Sequence, residues 1–319
     1  MTSRRPRILV AEPEDFCTEA QTLLKSVGSL DLKECHGVEL HHAFQEYDVI
    51  WFRLSEKIDS ETLGPAPRAK IIATPVTGID HIDLDACAKH NIQVVCLKGE
   101  REFLKKVRAT AEHTIGLTMA LMRKTSAAQN SVRKGEWTRD LFRGNELYEK
   151  TAGIIGMGRL GSIVADYFHT LGMKVIATDI RPFEHPHAQS VSLETLLESS
   201  DIVSLHVDYS EASHHLIGAN EFKRMKNTAV FINTSRGGIA DEKALLNALT
   251  SETIAGAALD VLAAEPNVPA DHPLIQFANQ SQNLIITPHI GGNTFESFVK
   301  TEIFIANRVI DALTNNREN

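Results

Sequence analysis

Short β-branched runs alternate with amphipathic stretches along nearly the whole chain, the pattern of a parallel sheet with crossover helices. Candidate strands fall at residues 8–11, 49–52, 70–73, 93–97, 153–155, 174–178, 202–206, 229–233, 256–260 and 284–287. Long helical patterns run over about 108–129, 159–171, 241–249 and 295–313, and no internal repeat of fixed period interrupts them. The first hundred residues make one α/β set, and a second begins after a basic segment at 98–108. The last helix follows the final strand of the second set, so its return to the first would give two chain crossings and a cleft between domains.

A chain of 319 residues is long enough for two such cores. No apolar run approaches the roughly 18 residues of a membrane helix, and the first residues do not read as an export signal. Four cysteines without a CxxC pair are too sparse for a disulfide framework or a zinc ribbon, so a reducing cytoplasm is expected. A formal charge of -8 argues against general binding to nucleic acid, which needs a clustered basic surface.

The chemistry begins at Gly156-Met157-Gly158-Arg159-Leu160-Gly161, a GxGxxG run after an apolar strand and at the start of a helix. Gly156 permits the tight turn, Gly158 lets backbone approach a pyrophosphate, and Gly161 lets helix and strand sit close. Amides at the helix start then face the phosphates. Asp179 ends the next strand 18 residues beyond Gly161, near the spacing of about 20 expected for a carboxylate that binds ribose hydroxyls. Such an acid repels a 2'-phosphate, which favours NAD over NADP, although Arg181 nearby softens the repulsion.

Three later strands end in chemically conspicuous residues: Arg236 before Gly237-Gly238, Glu265 before Pro266, and His289 after Pro288. The carboxyl ends of parallel strands share one edge, so these side chains can converge where a dinucleotide sits. His289 suits proton exchange with a carbonyl or hydroxyl oxygen, Glu265 can orient the imidazole, and Arg236 offers a planar fork to a carboxylate.

Together these residues resemble the NAD-dependent D-isomer 2-hydroxyacid dehydrogenase family, over about residues 48–307. The landmarks are Thr77-Gly78-Ile79-Asp80-His81-Ile82-Asp83, Ala111-Glu112-His113-Thr114, the glycine loop, Ser204-Leu205-His206, the strand ends at Arg236 and Glu265, and Thr287-Pro288-His289-Ile290-Gly291-Gly292. The resemblance implies two Rossmann-like doubly wound α/β domains: a discontinuous, flavodoxin-like substrate domain (1–103 and 290–319) and an inserted NAD-binding domain (104–289). It implies Arg236, Glu265 and His289 as the catalytic triad. It also implies that Asp260 holds the nicotinamide carboxamide, and that Thr110, His206, Thr234 and the glycine loop with Arg159 and Leu160 line the cofactor cleft. Backbone amides around Val76, Thr77 and Gly78 would receive the substrate carboxylate, and Arg53 an anionic tail. The helix from Arg108 and the segment with Gly135-Glu136-Trp137 resemble the family's dimer arm. The implied activity is hydride transfer between NAD(H) and a small D-2-hydroxy or 2-oxo acid, of which phosphoglycerate is one. The alternative is an NAD(H)-responsive corepressor-like regulator of the same fold.

Three departures stand against that pattern. Leu54 replaces a serine after Arg53, Asp208 stands where proline is common, and the 98–108 segment carries five basic residues. That segment reads as a solvated helix turn or as a selector of larger or doubly charged substrates. His41-His42, His185-Pro186-His187 and His214-His215 lack the partners of a metal site and read as surface residues. The Asn233-Thr234-Ser235 glycosylation sequon falls at a buried strand end.

Overall fold

The computed structural model describes residues 4–318. It divides into two compact units, one formed by residues up to Val107 together with those from Thr294 onward, the other by Arg108–Asn293.

The first unit holds a wholly parallel five-stranded sheet of β1 (Arg7–Val10), β2 (Ser29–Leu32), β3 (Val49–Trp51), β4 (Ile71–Ala73) and β5 (Gln93–Val95), in the order β2-β1-β3-β4-β5. This is the flavodoxin-like order, whose direction reverses between β1 and β3. Its central strands are apolar on both faces because helices cover both. One face packs on the helix Phe295–Glu318, which buries Ile305, Ala306, Val309 and Ala312 against Ile8, Val10, Leu24 and Trp51. The first unit is therefore discontinuous, closed by the last helix.

The second unit holds a parallel seven-stranded sheet of β6 (Thr151–Ile155), β7 (Lys174–Thr178), β8 (Gln189–Ser190), β9 (Ile202–Leu205), β10 (Val230–Asn233), β11 (Gly256–Leu259) and β12 (Leu284–Ile286). The order β12-β11-β10-β9-β6-β7-β8 is the Rossmann arrangement, reversing between β6 and β9.

The structure departs from the sequence reading in three places. Strands β2 and β8 were not expected: they are short edge strands of largely exposed residues, without the apolar run that marks the others. The single helix expected over 108–129 is two, Ala109–Met122 and Thr125–Arg133, parted by Lys124 at φ +50°. The Met122 carbonyl, which a continuous helix would give to the next turn, accepts the Asn145 N–H instead, at 2.9 Å. Among the described residues, no helix is long and apolar enough to cross a membrane.

Candidate active site

In the second unit the glycine loop leaves β6 at the switch point. Gly156 adopts φ +95°, and a Cβ there would meet the His206 carbonyl oxygen at 2.4 Å. Only glycine serves both demands. A Cβ at Gly161 would collide with the Gly156 carbonyl, so that glycine sets the approach of the helix Arg159–Thr170 to the sheet. Gly158 differs: nothing of the protein lies within 4 Å of its missing Cβ, and no side chain caps the helix that follows. Gly156 and Gly161 are packed for the protein and Gly158 faces open space, which is what close approach of a pyrophosphate to amide donors requires.

Asp179 stands beside this loop. Its Oδ2 accepts the Met157 N–H at 2.7 Å and its Oδ1 the Arg181 N–H at 2.9 Å, so the carboxylate is fixed against the turn. Arg159 opens the helix with its guanidinium pKa lowered by burial, and Leu160 packs against the core. His206 ends β9. Burial pushes its pKa down to about 4, its Nε2 lies 2.8 Å from Ser204 Oγ, and its buried Nδ1 has no hydrogen-bond partner. An orphaned ring nitrogen beside an open glycine cradle fits a bound dinucleotide. Thr234 Oγ1 lies 2.9 Å from Thr114 Oγ1, which also donates to the Thr110 carbonyl, tying β10 to the helix Ala109–Met122.

The three strand ends are joined by direct contacts. His289 sits at φ +55°, held there by its N–H to the Asp260 carbonyl at 2.8 Å. Its Nδ1 lies 2.6 Å from Glu265 Oε2, and Glu265 Oε1 accepts the Leu262 N–H at 2.6 Å. Both carboxylate oxygens are thus occupied, and the imidazole has one fixed orientation that leaves Nε2 as its outer nitrogen. Arg236 belongs to the same cluster through backbone. A Cβ at Gly237 would come within 2.1 Å of the Leu262 carbonyl carbon, so the loops carrying Arg236 and Glu265 touch. Asn233 shapes that turn by donating to the Arg236 carbonyl and accepting the Ser235 N–H, and is buried at the sequon.

Asp260 has more partners than the sequence suggested. Its Oδ1 accepts from Thr287 Oγ1 (2.6 Å) and the Ile290 N–H (2.9 Å) and lies 3.2 Å from His113 Nε2, while Oδ2 accepts the Gly291 N–H (2.7 Å). Desolvation alone would raise its pKa, but the hydrogen bonds from His113, Thr287, Ile290 and Gly291 outweigh it and the pKa is lowered. The carboxylate pins the loop that presents His289. His113 and Thr287 were not singled out from the sequence as site residues, although both lie in its landmark runs.

In the first unit, Arg53 follows β3 and Val76, Thr77 and Gly78 follow the neighbouring β4. The Val76 carbonyl accepts the Leu97 N–H at 3.0 Å, and Thr77 is exposed. Within the basic segment, Phe103 stacks on Phe304 at 4.0 Å between centroids, Leu104 is buried, and exposed Lys105 pairs with Glu102 at 2.7 Å. That is a helix turn packed by its apolar residues, with Lys105 spent in solvent. Among the described residues no group of three or more His, Cys, Asp or Glu side chains is placed to hold a metal.

The model of the D-isomer specific 2-hydroxyacid dehydrogenase NAD binding domain matches residues 115–291, a span containing Arg236, Glu265, His289 and the glycine loop. This chain belongs to the D-isomer specific 2-hydroxyacid dehydrogenases. A relative in this family, the glyoxylate reductase of Thermofilum pendens, is 34% identical over 95% of this chain and 92% of its own length. The D-3-phosphoglycerate dehydrogenase of Archaeoglobus fulgidus is 37% identical over 96% of this chain, which spans only 57% of that longer protein. The D-lactate dehydrogenase of Aquifex aeolicus, solved with NAD and lactic acid, superposes with a TM-score of 0.85 at 29% identity, covering 98% of this chain and 96% of that one.

Proposed function

We propose that this 2-hydroxyacid dehydrogenase reduces small 2-oxo acids to D-2-hydroxy acids with NADH, and runs the reverse oxidation with NAD, using His289, Glu265 and Arg236. The observation that carries the reading is the 2.6 Å contact between His289 Nδ1 and Glu265 Oε2 at the carboxyl edge of the Rossmann sheet. With Nδ1–H donating to the carboxylate, His289 Nε2 is the atom that holds the exchangeable proton, and Glu265 stabilises the imidazolium. In reduction that proton passes to the carbonyl oxygen, and in oxidation Nε2 takes it back from the hydroxyl. Arg236 binds the substrate carboxylate and places positive charge beside the reacting oxygen. The backbone amides at Val76, Thr77 and Gly78 also receive the carboxylate.

The nicotinamide supplies or accepts the hydride when the dinucleotide is bound. Gly156, Gly158, Arg159, Leu160 and Gly161 form its phosphate cradle, Asp179 binds the ribose hydroxyls and disfavours a 2'-phosphate, and Thr110, His206, Thr234 and Asp260 line the rest. We further propose a cytoplasmic homodimer. The four cysteines are free, as suits a reducing compartment, and exposed Val132, Trp137 and Leu141 follow one another on the arm after the helix Ala109–Met122.

The test is NADH oxidation with glyoxylate, pyruvate and hydroxypyruvate. Turnover is expected with at least one of them, and His289→Ala should lower kcat at least about a hundredfold while leaving NADH affinity within about threefold. Intact NADH binding with no acid reduced would overturn the enzyme reading, and unchanged kcat would remove His289 from the mechanism.

A further inference from the structure

The reversal of strand order between β1 and β3 in the first unit lies where open α/β sheets put ligands, at the carboxyl ends of the strands. Arg53 sits at that point, but its charge is already engaged. Its Nη2 donates to Glu302 Oε1 at 2.8 Å and to the Glu14 carbonyl at 3.0 Å, and its guanidinium carbon lies 4.4 Å from the Phe298 ring centroid. Glu302 is 0% exposed, and its Oε2 accepts the Cys17 N–H at 2.8 Å. Glu12, on the same edge after β1, accepts from Ser55 Oγ at 2.6 Å and adds a second carboxylate.

From this arrangement we propose that Glu302 is a specificity-determining residue: by committing Arg53 to a buried ion pair, it makes the enzyme a reductase of 2-oxo acids with one negative charge and excludes phosphorylated ones. The inference rests on the 2-oxo-acid reductase reading and deepens it. A phosphate that claimed Arg53 would strip it from Glu302 and leave a carboxylate without water or counter-charge. A phosphate that left the pair intact would meet a guanidinium already balanced, with Glu12 beside it, and the field of a pair falls off faster than that of a free cation. A short 2-oxo acid incurs neither penalty, because its single carboxylate is served elsewhere. Relatives of this chain include both glyoxylate reductases and phosphoglycerate dehydrogenases, and the Arg53–Glu302 contact favours the former.

The experiment compares kcat/KM for hydroxypyruvate and phosphohydroxypyruvate, which differ only in the phosphate, with glyoxylate as a control for the basic activity. The wild-type enzyme should favour hydroxypyruvate at least about tenfold. Glu302→Gln, which keeps the shape and frees the Arg53 charge, should shift that ratio toward the phosphorylated acid by about tenfold or more, through its KM. Arg53→Gln with Glu302→Gln should restore a preference for hydroxypyruvate. Wild-type preference for phosphohydroxypyruvate that the double variant abolishes overturns the proposal, and so does a ratio unmoved in folded Glu302→Gln. The wild-type ratio and the double variant decide the matter if the single variant does not fold. A wild-type enzyme that binds NADH but reduces none of these acids would instead count against the reductase reading.

Discussion

His206 shows at a single residue how a site feature becomes a property of the whole protein. Its pKa in the folded state is about 4 against an ordinary 6.5, because burial opposes its charged form. The unfolded chain therefore binds the proton first, so the contribution of His206 to stability is complete above about pH 6.5 and is lost as the pH falls toward 4. At most about 2 kcal/mol disappears between pH 7.5 and 5 by this route, a few degrees of Tm. Melting curves across that range should show a steeper acid-side fall for wild type than for His206→Gln, and equal slopes would refute the assignment. At this scale the sequence was informative wherever a residue's neighbours in the chain announce its role. Asp179 was legible from its distance to the glycine loop, and His289 from the strand before it. Glu302 was not, because its partner lies 249 residues away. One signal was available: Glu302 occupies the same buried stripe as Ile305, Ala306 and Val309, where a charge demands a counter-charge.

The geometry of the proposed catalytic cluster depends on loops that hold one another through backbone contact. Gly237 is the point of contact between the Arg236 and Glu265 loops, with no room for a methyl group against Leu262. Gly237→Ala should therefore spread the loops and lower kcat on the order of a hundredfold, as misplacement of about 1 Å can do. NADH affinity should change little, since the glycine loop follows a different strand. Steady-state kinetics beside a fluorescence titration of NADH checks both halves, and a variant with normal kcat would show that the contact is incidental. The buried parallel strands were readable because burial on two faces leaves an apolar run. The edge strands β2 and β8 were not readable, since exposure erases that run. Nor was the helix break at Lys124, which has neither proline nor glycine beside it and is accompanied by a hydrogen bond from Asn145, a residue on a returning segment.

For the molecule as a whole, the discontinuous substrate domain and the inserted Rossmann domain could be anticipated from the order of the patterns, because a final helix after a completed α/β set needs another sheet to cover. Self-association could not, and came only from resemblance. Exposed Trp137 and Leu141 make it testable: sedimentation should give twice the mass of one chain, and Trp137→Asp with Leu141→Asp should give monomers. A wild-type monomer would reject the dimer. The return of the helix Phe295–Glu318 to the first sheet also has a consequence during synthesis. Ile8, Val10 and Trp51 leave the ribosome before the inserted unit does but gain the cover of Ile305, Ala306 and Val309 only after Arg108–Asn293 has been made. The inserted domain can fold in the interval, while the earliest strands wait with one apolar face bare, a surface suited to capture by chaperones.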